Sequence, residues 1–150
     1  MKELGIVINC CERELYLASE EFLKKYRDCE IMEVCMVYSD NNKPSLRLLS
    51  QLQRYCKSIS TVKINRNKSE TYALRAGVRY IIGNFNLPVI AVVTGIEQYA
   101  LDQVLEAVAR LKDTILEEGL RPHKERFIMN VRDRRIVQIM PQDLGLKQSA

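Results

Sequence analysis

The chain has 150 residues, 47% of them hydrophobic and 28% charged, with six glycines and four prolines. This length suits one domain around one hydrophobic core, and the apolar fraction excludes an intrinsically disordered chain. The formal net charge of +4 would favour phosphate groups but falls short of a dedicated nucleic-acid binder. We therefore expect a single globular domain over residues 1–150, with no nucleic acid as its partner.

An apolar run over Leu4–Ile8 is typical of a parallel strand that is covered on both faces. A helix follows it, because apolar residues recur at helical spacing from Leu15 to Tyr26. Ile31–Tyr38 predicts a second strand, and a second helix is expected to begin near Pro44.

The alternation continues with a third strand over Thr61–Ile64. Ser69 is a plausible N-cap for a helix that runs to Ile81. Gly77 stands inside this helix and weakens it by about 1 kcal/mol relative to alanine.

The last third of the chain holds the clearest strand, Pro88–Val93, and a helix over Leu101–Ile115 that Gly119 stops. Two short strands are expected after it, Phe127–Val131 and Ile136–Met140, on either side of a charged turn. Four successive strand–helix units predict an α/β domain whose mostly parallel sheet has about five or six strands and helices on both faces.

Ligands of such sheets bind beyond the carboxyl ends of the strands. The segments to search are therefore the predicted strand ends Asn9–Arg13, Ser39–Lys43, Asn65–Ser69 and Thr94–Gln98, together with the late arginines. The chain has no GxGxxG, GxxxxGK[ST] or GxSxG motif, which excludes the common dinucleotide, nucleoside-triphosphate and serine-hydrolase sites.

The cysteines predict neither a disulfide framework nor a zinc site, because their number is odd and no pair has CxxC spacing. They are Cys10, Cys11, Cys29, Cys35 and Cys56. A thiol at positions 10 or 11 could be a nucleophile at a helix N-terminus or a small residue that fills a strand end. With a single histidine, His123, no cluster has metal-ligand spacing, and we assign no metal site and no catalytic residue.

The densest basic feature is Arg132-Asp133-Arg134-Arg135. Several guanidinium groups on one loop could bind a diphosphate bidentately, or the segment could be a solvated turn. The segment Ser39–Asn42 has the same two interpretations, since its side chains could orient a substrate or merely form a turn. The sequence also shows no signal peptide and no apolar run near the ~18–20 residues of a membrane helix, so we expect a cytoplasmic protein.

The order of elements resembles that of the cis-prenyltransferases, which include the undecaprenyl diphosphate synthases. Ile6–Arg13 takes the place of the family's first strand and its Asp-Gly-Asn-Arg-Arg motif, and Val37–Pro44 resembles a shortened Tyr-x-x-Ser-x-Glu-Asn-Trp-x-Arg-Pro segment. Pro88–Ile96 and the helix after it look like the fourth strand and its helix. Ile128–Ile136 is similar to the Arg-containing diphosphate-binding segment.

In this resemblance Asn9 stands at the catalytic aspartate and Cys10 at the glycine that approaches phosphate. The resemblance thus implies a non-catalytic or weakly catalytic subunit of a heteromeric enzyme that makes polyprenyl diphosphate from isopentenyl diphosphate. It implies that this chain holds no cofactor. Its partner would be a catalytic homologue that binds Mg²⁺, or else the chain would form a homo-oligomer. Membrane contact would come only through the lipid product.

The site residues that the resemblance implies are arginines and one amide. The diphosphate would be bound by Arg132, Arg134 and Arg135, with Arg13 and Asn41 in supporting roles.

A second resemblance is to the family-2 glycosyltransferases. Val62–Asn67 followed by Ala73–Gly77 looks like their third strand and helix. Their acidic Asp-x-Asp should follow the next strand, where this chain has Thr94-Gly95-Ile96. This resemblance implies a degenerate nucleotide-sugar-binding domain that acts as a binding or interaction module.

Overall fold

The computed structural model describes residues 3–9, 32–39, 54, 57–65, 69–96, 99, 101–120 and 135–146. These residues form one five-stranded sheet with parallel neighbours throughout and helices on both faces. The α/β class expected from the sequence is confirmed. The predicted helices from Leu15 and from Pro44, and the predicted strand Phe127–Val131, lie outside the described residues.

Each predicted strand in the described part of the chain is present, with ends that differ by one or two residues. The strands are β1 (Leu4–Asn9), β2 (Met32–Tyr38), β3 (Ile59–Lys63), β4 (Val89–Val93) and β5 (Arg135–Ile139). The helices are α1 (Glu70–Asn84), α2 (Leu101–Arg110) and α3 (Lys112–Leu120), and a 3₁₀ helix covers Pro141–Leu144.

The strand order is β3-β2-β1-β4-β5. The central strand β1 pairs with β2 on one side, where Leu4 lies opposite Met32, and with β4 on the other, where Leu4 lies opposite Val89. The chain therefore builds one half of the sheet outward from β1 to β3. It then crosses to the other side and adds β4 and β5, so the order reverses between β1 and β4.

Alternating side chains of the strands form two cores. One lies on the sheet face that α1 covers, here called the α1 face, and includes Val7, Cys35, Val92 and Ile136. The other lies on the face that α2 and α3 cover, the α2 face, and includes Ile6, Met36 and Ala91 with Val104, Leu105 and Val108 of α2. Both faces of β1 and β4 are thus apolar, which explains why these two strands are continuous hydrophobic runs rather than alternating ones.

Helix α1 begins as the sequence predicts. The Ser69 Oγ accepts a hydrogen bond from the backbone N–H of Tyr72 at 3.1 Å, which caps the first turn. The buried face of the helix carries Ala73, Leu74, Gly77, Val78 and Ile81. A Cβ at Gly77 would lie 2.9 Å from Val37 Cγ2 and nearer still to Val7 Cγ1, so the missing side chain lets the helix approach β1 and β2 closely.

The predicted long helix over Leu101–Ile115 is two helices, α2 and α3, with a turn at Leu111 between them. The backbone hydrogen bonds from Leu111 to Ala107, 3.0 Å, and from Ile115 to Leu111, 2.9 Å, continue across the turn. The apolar spacing runs through both helices, which is why the sequence does not reveal the break. None of the helices in the described ranges has the length and apolar character that crossing a bilayer requires.

The connections that α1 and α2 belong to step in the same direction across the sheet, from β3 to β4 and from β4 to β5. Helix α1 lies on one face of the sheet, and α2 and α3 lie on the other.

Candidate functional site

The reversal of strand order places the candidate site at the carboxyl ends of β1 and β4. In open parallel sheets, ligands bind in the crevice outside the carboxyl ends at the point where the order reverses. The register pairs Ile8 with Val93, so the next positions along these two strands are Asn9 and Thr94. Both are polar residues at the end of apolar strands.

Three polar residues of neighbouring strands project on the α1 face at this edge. Asn9 stands two residues beyond the buried Val7, Thr94 two residues beyond Val92, and Gln138 pairs in register with Val92. Since side chains alternate along a strand, all three share the face of Val7 and Val92. We call Asn9, Thr94 and Gln138 the polar row. Its members are uncharged hydrogen-bonding groups.

A hydrogen bond joins two members of the polar row across β4 and β5. The Gln138 Nε2 donates to Thr94 Oγ1 at 3.0 Å, and the backbone N–H of Thr94 donates to the carbonyl of Ile139 at 3.0 Å. Thr94 is 9% exposed, so these contacts lie close to the core. The side chain and the backbone of Thr94 are therefore both held by β5.

The chain turns sharply directly after Thr94. Gly95 has a φ of 72°, in the left-handed region where residues with a Cβ are strained. A Cβ there would also lie 3.5 Å from Pro141 Cδ at the start of the 3₁₀ helix. Glycine at this position lets the chain leave the sheet immediately, which keeps Thr94 at the edge.

The α2 face of the same edge holds two tyrosines, Tyr38 and Tyr99, packed against the core. The Tyr99 backbone N–H donates to the Ile96 carbonyl at 2.9 Å. Its phenolic oxygen is buried, and no hydrogen-bond partner for it is found in the described part of the chain.

Two of the described residues, Lys63 and Cys35, lie away from the polar row. Lys63 ends β3, and three strand spacings of ~4.8 Å separate β3 from β4, which amounts to about 14 Å. Cys35 is buried in the middle of β2, and burial raises its pKa from 9.0 to about 12, so this thiol is not an activated nucleophile. Within the described ranges, no three His, Cys, Asp or Glu side chains are grouped as a metal site would require.

Of the site residues expected from the cis-prenyltransferase resemblance, the structure describes Arg135. This residue is exposed at the first position of β5, and its backbone N–H donates to the Pro88 carbonyl at 3.0 Å. It lies at the amino edge of the sheet, about 13 Å along β5 from Ile139. The structure does not bring it to the polar row.

The remaining residues proposed from the sequence lie outside the described residues. They are Arg13, Asn41, Arg132, Arg134, Cys10 and Cys11.

The strand-end argument found Asn9 and Thr94, and it also named Ser39, which is 8% exposed directly after β2. It missed Gln138. The available signal was a polar side chain between the apolar residues Val137 and Ile139 inside β5.

Comparison with protein-family models gave no match for this chain, and no curated protein or solved structure matched it either.

Proposed function

We propose that this chain is a binding module of the nucleotide-sugar-binding α/β type, without catalytic activity of its own. Its ligand would lie across the carboxyl ends of β1 and β4. The observation that carries the proposal is the polar row, because it places hydrogen-bonding side chains where the strand order reverses.

The resemblance to family-2 glycosyltransferases supports the same interpretation. The segments that carry it are Val62–Asn67, which begins within β3, and Ala73–Gly77 in α1. Where that family places an acidic pair for a metal and a sugar diphosphate, this chain has Thr94 and the turn at Gly95. A hydroxyl and an amide can bind a ligand but lack the negative charge that Mg²⁺ prefers. We therefore propose binding without metal-assisted transfer.

Calorimetric titration of the full chain with a panel of nucleoside diphosphates and nucleotide sugars tests this proposal. We expect at least one of these ligands to bind, with an affinity that excess EDTA leaves unchanged. Thr94→Val should weaken that binding, because valine keeps the shape of threonine and removes its hydroxyl. The matched control is Thr61→Val in the edge strand β3, which should bind as the native chain does. A panel without any binder would contradict the proposal.

The second candidate function is the non-catalytic subunit of a heteromeric cis-prenyltransferase, with a catalytic homologue as partner and Mg²⁺ in that partner. The observation that favours it is the exposed Arg135 at the start of β5, which adjoins the basic segment 132–134 in the sequence. A diphosphate bound there would lie at the amino edge, away from the polar row.

The two candidates predict opposite mutant patterns. For the prenyltransferase subunit, isopentenyl diphosphate should bind to the chain or to its complex with a catalytic homologue, and Arg132→Ala and Arg135→Ala should weaken that binding. Thr94→Val should leave it unchanged. Co-expression with the homologue should also yield polyprenyl diphosphate synthesis that the purified chain lacks. Synthesis by the single chain, or binding sensitive to Thr94→Val alone, would count against this candidate.

A further inference from the structure

We infer that Gln138 positions the Thr94 hydroxyl to donate a hydrogen bond to an uncharged acceptor oxygen of the ligand. The ligand portion at β4 and β5 would then be a sugar or a base rather than a diphosphate. This inference rests on the proposed function and extends it to the part of the ligand that the polar row recognises.

The direction of the hydrogen bond between Gln138 and Thr94 determines which role the Thr94 hydroxyl has left for a ligand. The Gln138 Nε2 can only donate, so at 3.0 Å Thr94 Oγ1 accepts, and the hydroxyl proton of Thr94 must point elsewhere. None of the described residues accepts this proton. Thr94 is also only 9% exposed, so its side chain is largely shielded from water. A buried donor without an acceptor is costly, and a ligand oxygen would satisfy it.

The uncharged side chains of the polar row favour an uncharged group of the ligand. The polar row consists of two amides and one hydroxyl, and the backbone N–H of Thr94 is already bonded to Ile139. The lysine that ends β3 lies about 14 Å from β4 by strand spacing. Among the described strand residues, therefore, no cation is placed to neutralise a phosphate beside Thr94, whereas a hydroxyl or carbonyl oxygen needs only the single donor.

The test reverses the hydrogen bond without changing the shape of the side chain. In Gln138→Glu the carboxylate can only accept, so it takes the Thr94 proton away from the ligand. We expect nucleotide-sugar affinity to fall by about tenfold or more, the size of one lost hydrogen bond to a buried partner. Inorganic pyrophosphate should bind equally to the native chain and the variant. Thr94→Ser, which keeps the hydroxyl, should retain nucleotide-sugar binding.

Two controls separate this positioning role from charge repulsion and from misfolding. Gln142→Glu makes the same charge change on the exposed part of the 3₁₀ helix and should leave affinity unchanged. Adding Gln138→Glu to Thr94→Val should weaken binding no further than Thr94→Val alone, since the proton in question is already gone. The thermal unfolding midpoint of each variant shows whether it folds.

The outcomes distinguish a failure of the proposed function from a failure of the inference about Gln138 and Thr94. A chain that binds no nucleotide sugar overturns the proposed function and this inference with it. Native-like nucleotide-sugar affinity in Gln138→Glu overturns this inference alone. So does an equal loss in the Thr94→Val background, which would reveal charge repulsion, or a parallel loss of pyrophosphate binding.

Discussion

At the scale of single residues, Gly77 shows how a missing side chain determines the distance between a helix and a sheet. Alanine normally stabilises a helix interior relative to glycine by about 1 kcal/mol. At Gly77, however, the added Cβ would press on Val7 and Val37, whose side chains belong to the core of the sheet. We expect Gly77→Ala to lower the free energy of unfolding by about 1–2 kcal/mol, because overpacking outweighs helix propensity.

Gly83 provides the control in the same helix. It is exposed, and a Cβ there would meet nothing within 4 Å. Gly83→Ala should therefore raise the free energy of unfolding by about 0.5–1 kcal/mol. Urea denaturation of both variants measures the difference. If both alanines stabilised the protein, the close approach of α1 to β1 and β2 would be refuted.

Cys35 links burial to the alkaline stability of the protein. Because burial raises its pKa from 9.0 to about 12, the thiol stays protonated in the folded state while it ionises in the unfolded state between these values. Its contribution is intact below pH 9 and is lost as the pH rises, with a slope of at most about 1.4 kcal/mol per pH unit. Urea denaturation from pH 8 to 11 should show a shallower decline for Cys35→Ala. Equal slopes would mean that the thiol ionises alike in both states.

Because the phenolic oxygen of Tyr99 is buried, we expect that removing it does not destabilise the protein. Tyr99→Phe removes a polar atom for which the described residues provide no hydrogen-bond partner. The variant should unfold at the same temperature as the native protein or at a higher one, because no hydrogen bond is lost and less desolvation is required. Differential scanning calorimetry measures this. A destabilisation of more than about 1 kcal/mol would reveal a partner for the hydroxyl.

At the scale of elements, the N-cap of α1 is the clearest sequence signal that the structure confirms. Ser69→Ala removes the acceptor for the Tyr72 N–H and should lower the free energy of unfolding by about 1 kcal/mol. Ser69→Asp retains an acceptor at this position and should be close to the native protein in stability. Thermal unfolding of the two variants checks the prediction. Equal losses would show that the cap contributes through something other than its acceptor oxygen.

The strands and α1 could be predicted from the sequence because each depends on local patterns. Apolar runs such as Leu4–Ile8 and the cap at Ser69 act within a few residues of themselves. The division between α2 and α3 could not be predicted, since the apolar spacing continues through the turn at Leu111. The order of the strands was also beyond local patterns, because pairing joins residues far apart in the chain.

The residues of the candidate site also include some that local sequence patterns predict and others that depend on strand pairing. Asn9 and Thr94 were expected because polar residues directly after buried strands lie at the ligand-binding edge. Gln138 was not, because its contact with Thr94 depends on β5 pairing with β4 in one particular register. For Arg135, the neighbouring arginines indicate a basic segment, whereas its position at the amino edge depends on the direction of β5.

At the scale of the whole molecule, the two ends of the sheet separate the two candidate functions. Ligand bound at the polar row should slow hydrogen exchange of the Thr94 amide and of the backbone after β1, while the Arg135 amide exchanges as before. Hydrogen exchange followed by NMR, with and without the bound nucleotide sugar, distinguishes the ends. Protection confined to the start of β5 would instead locate the ligand at the basic segment.

The crossing from β3 to β4 also bears on how the protein folds. Leu4 in the central strand pairs with Val89, more than half of the chain away, so this ladder can close only after a large loop has been ordered. Contacts so distant in sequence make folding slow, and we expect β1 and β4 to join late. The polar row lies across that junction. The ability to bind a ligand would therefore appear only when β1 and β4 pair. A ligand that contacts both strands would stabilise this pairing.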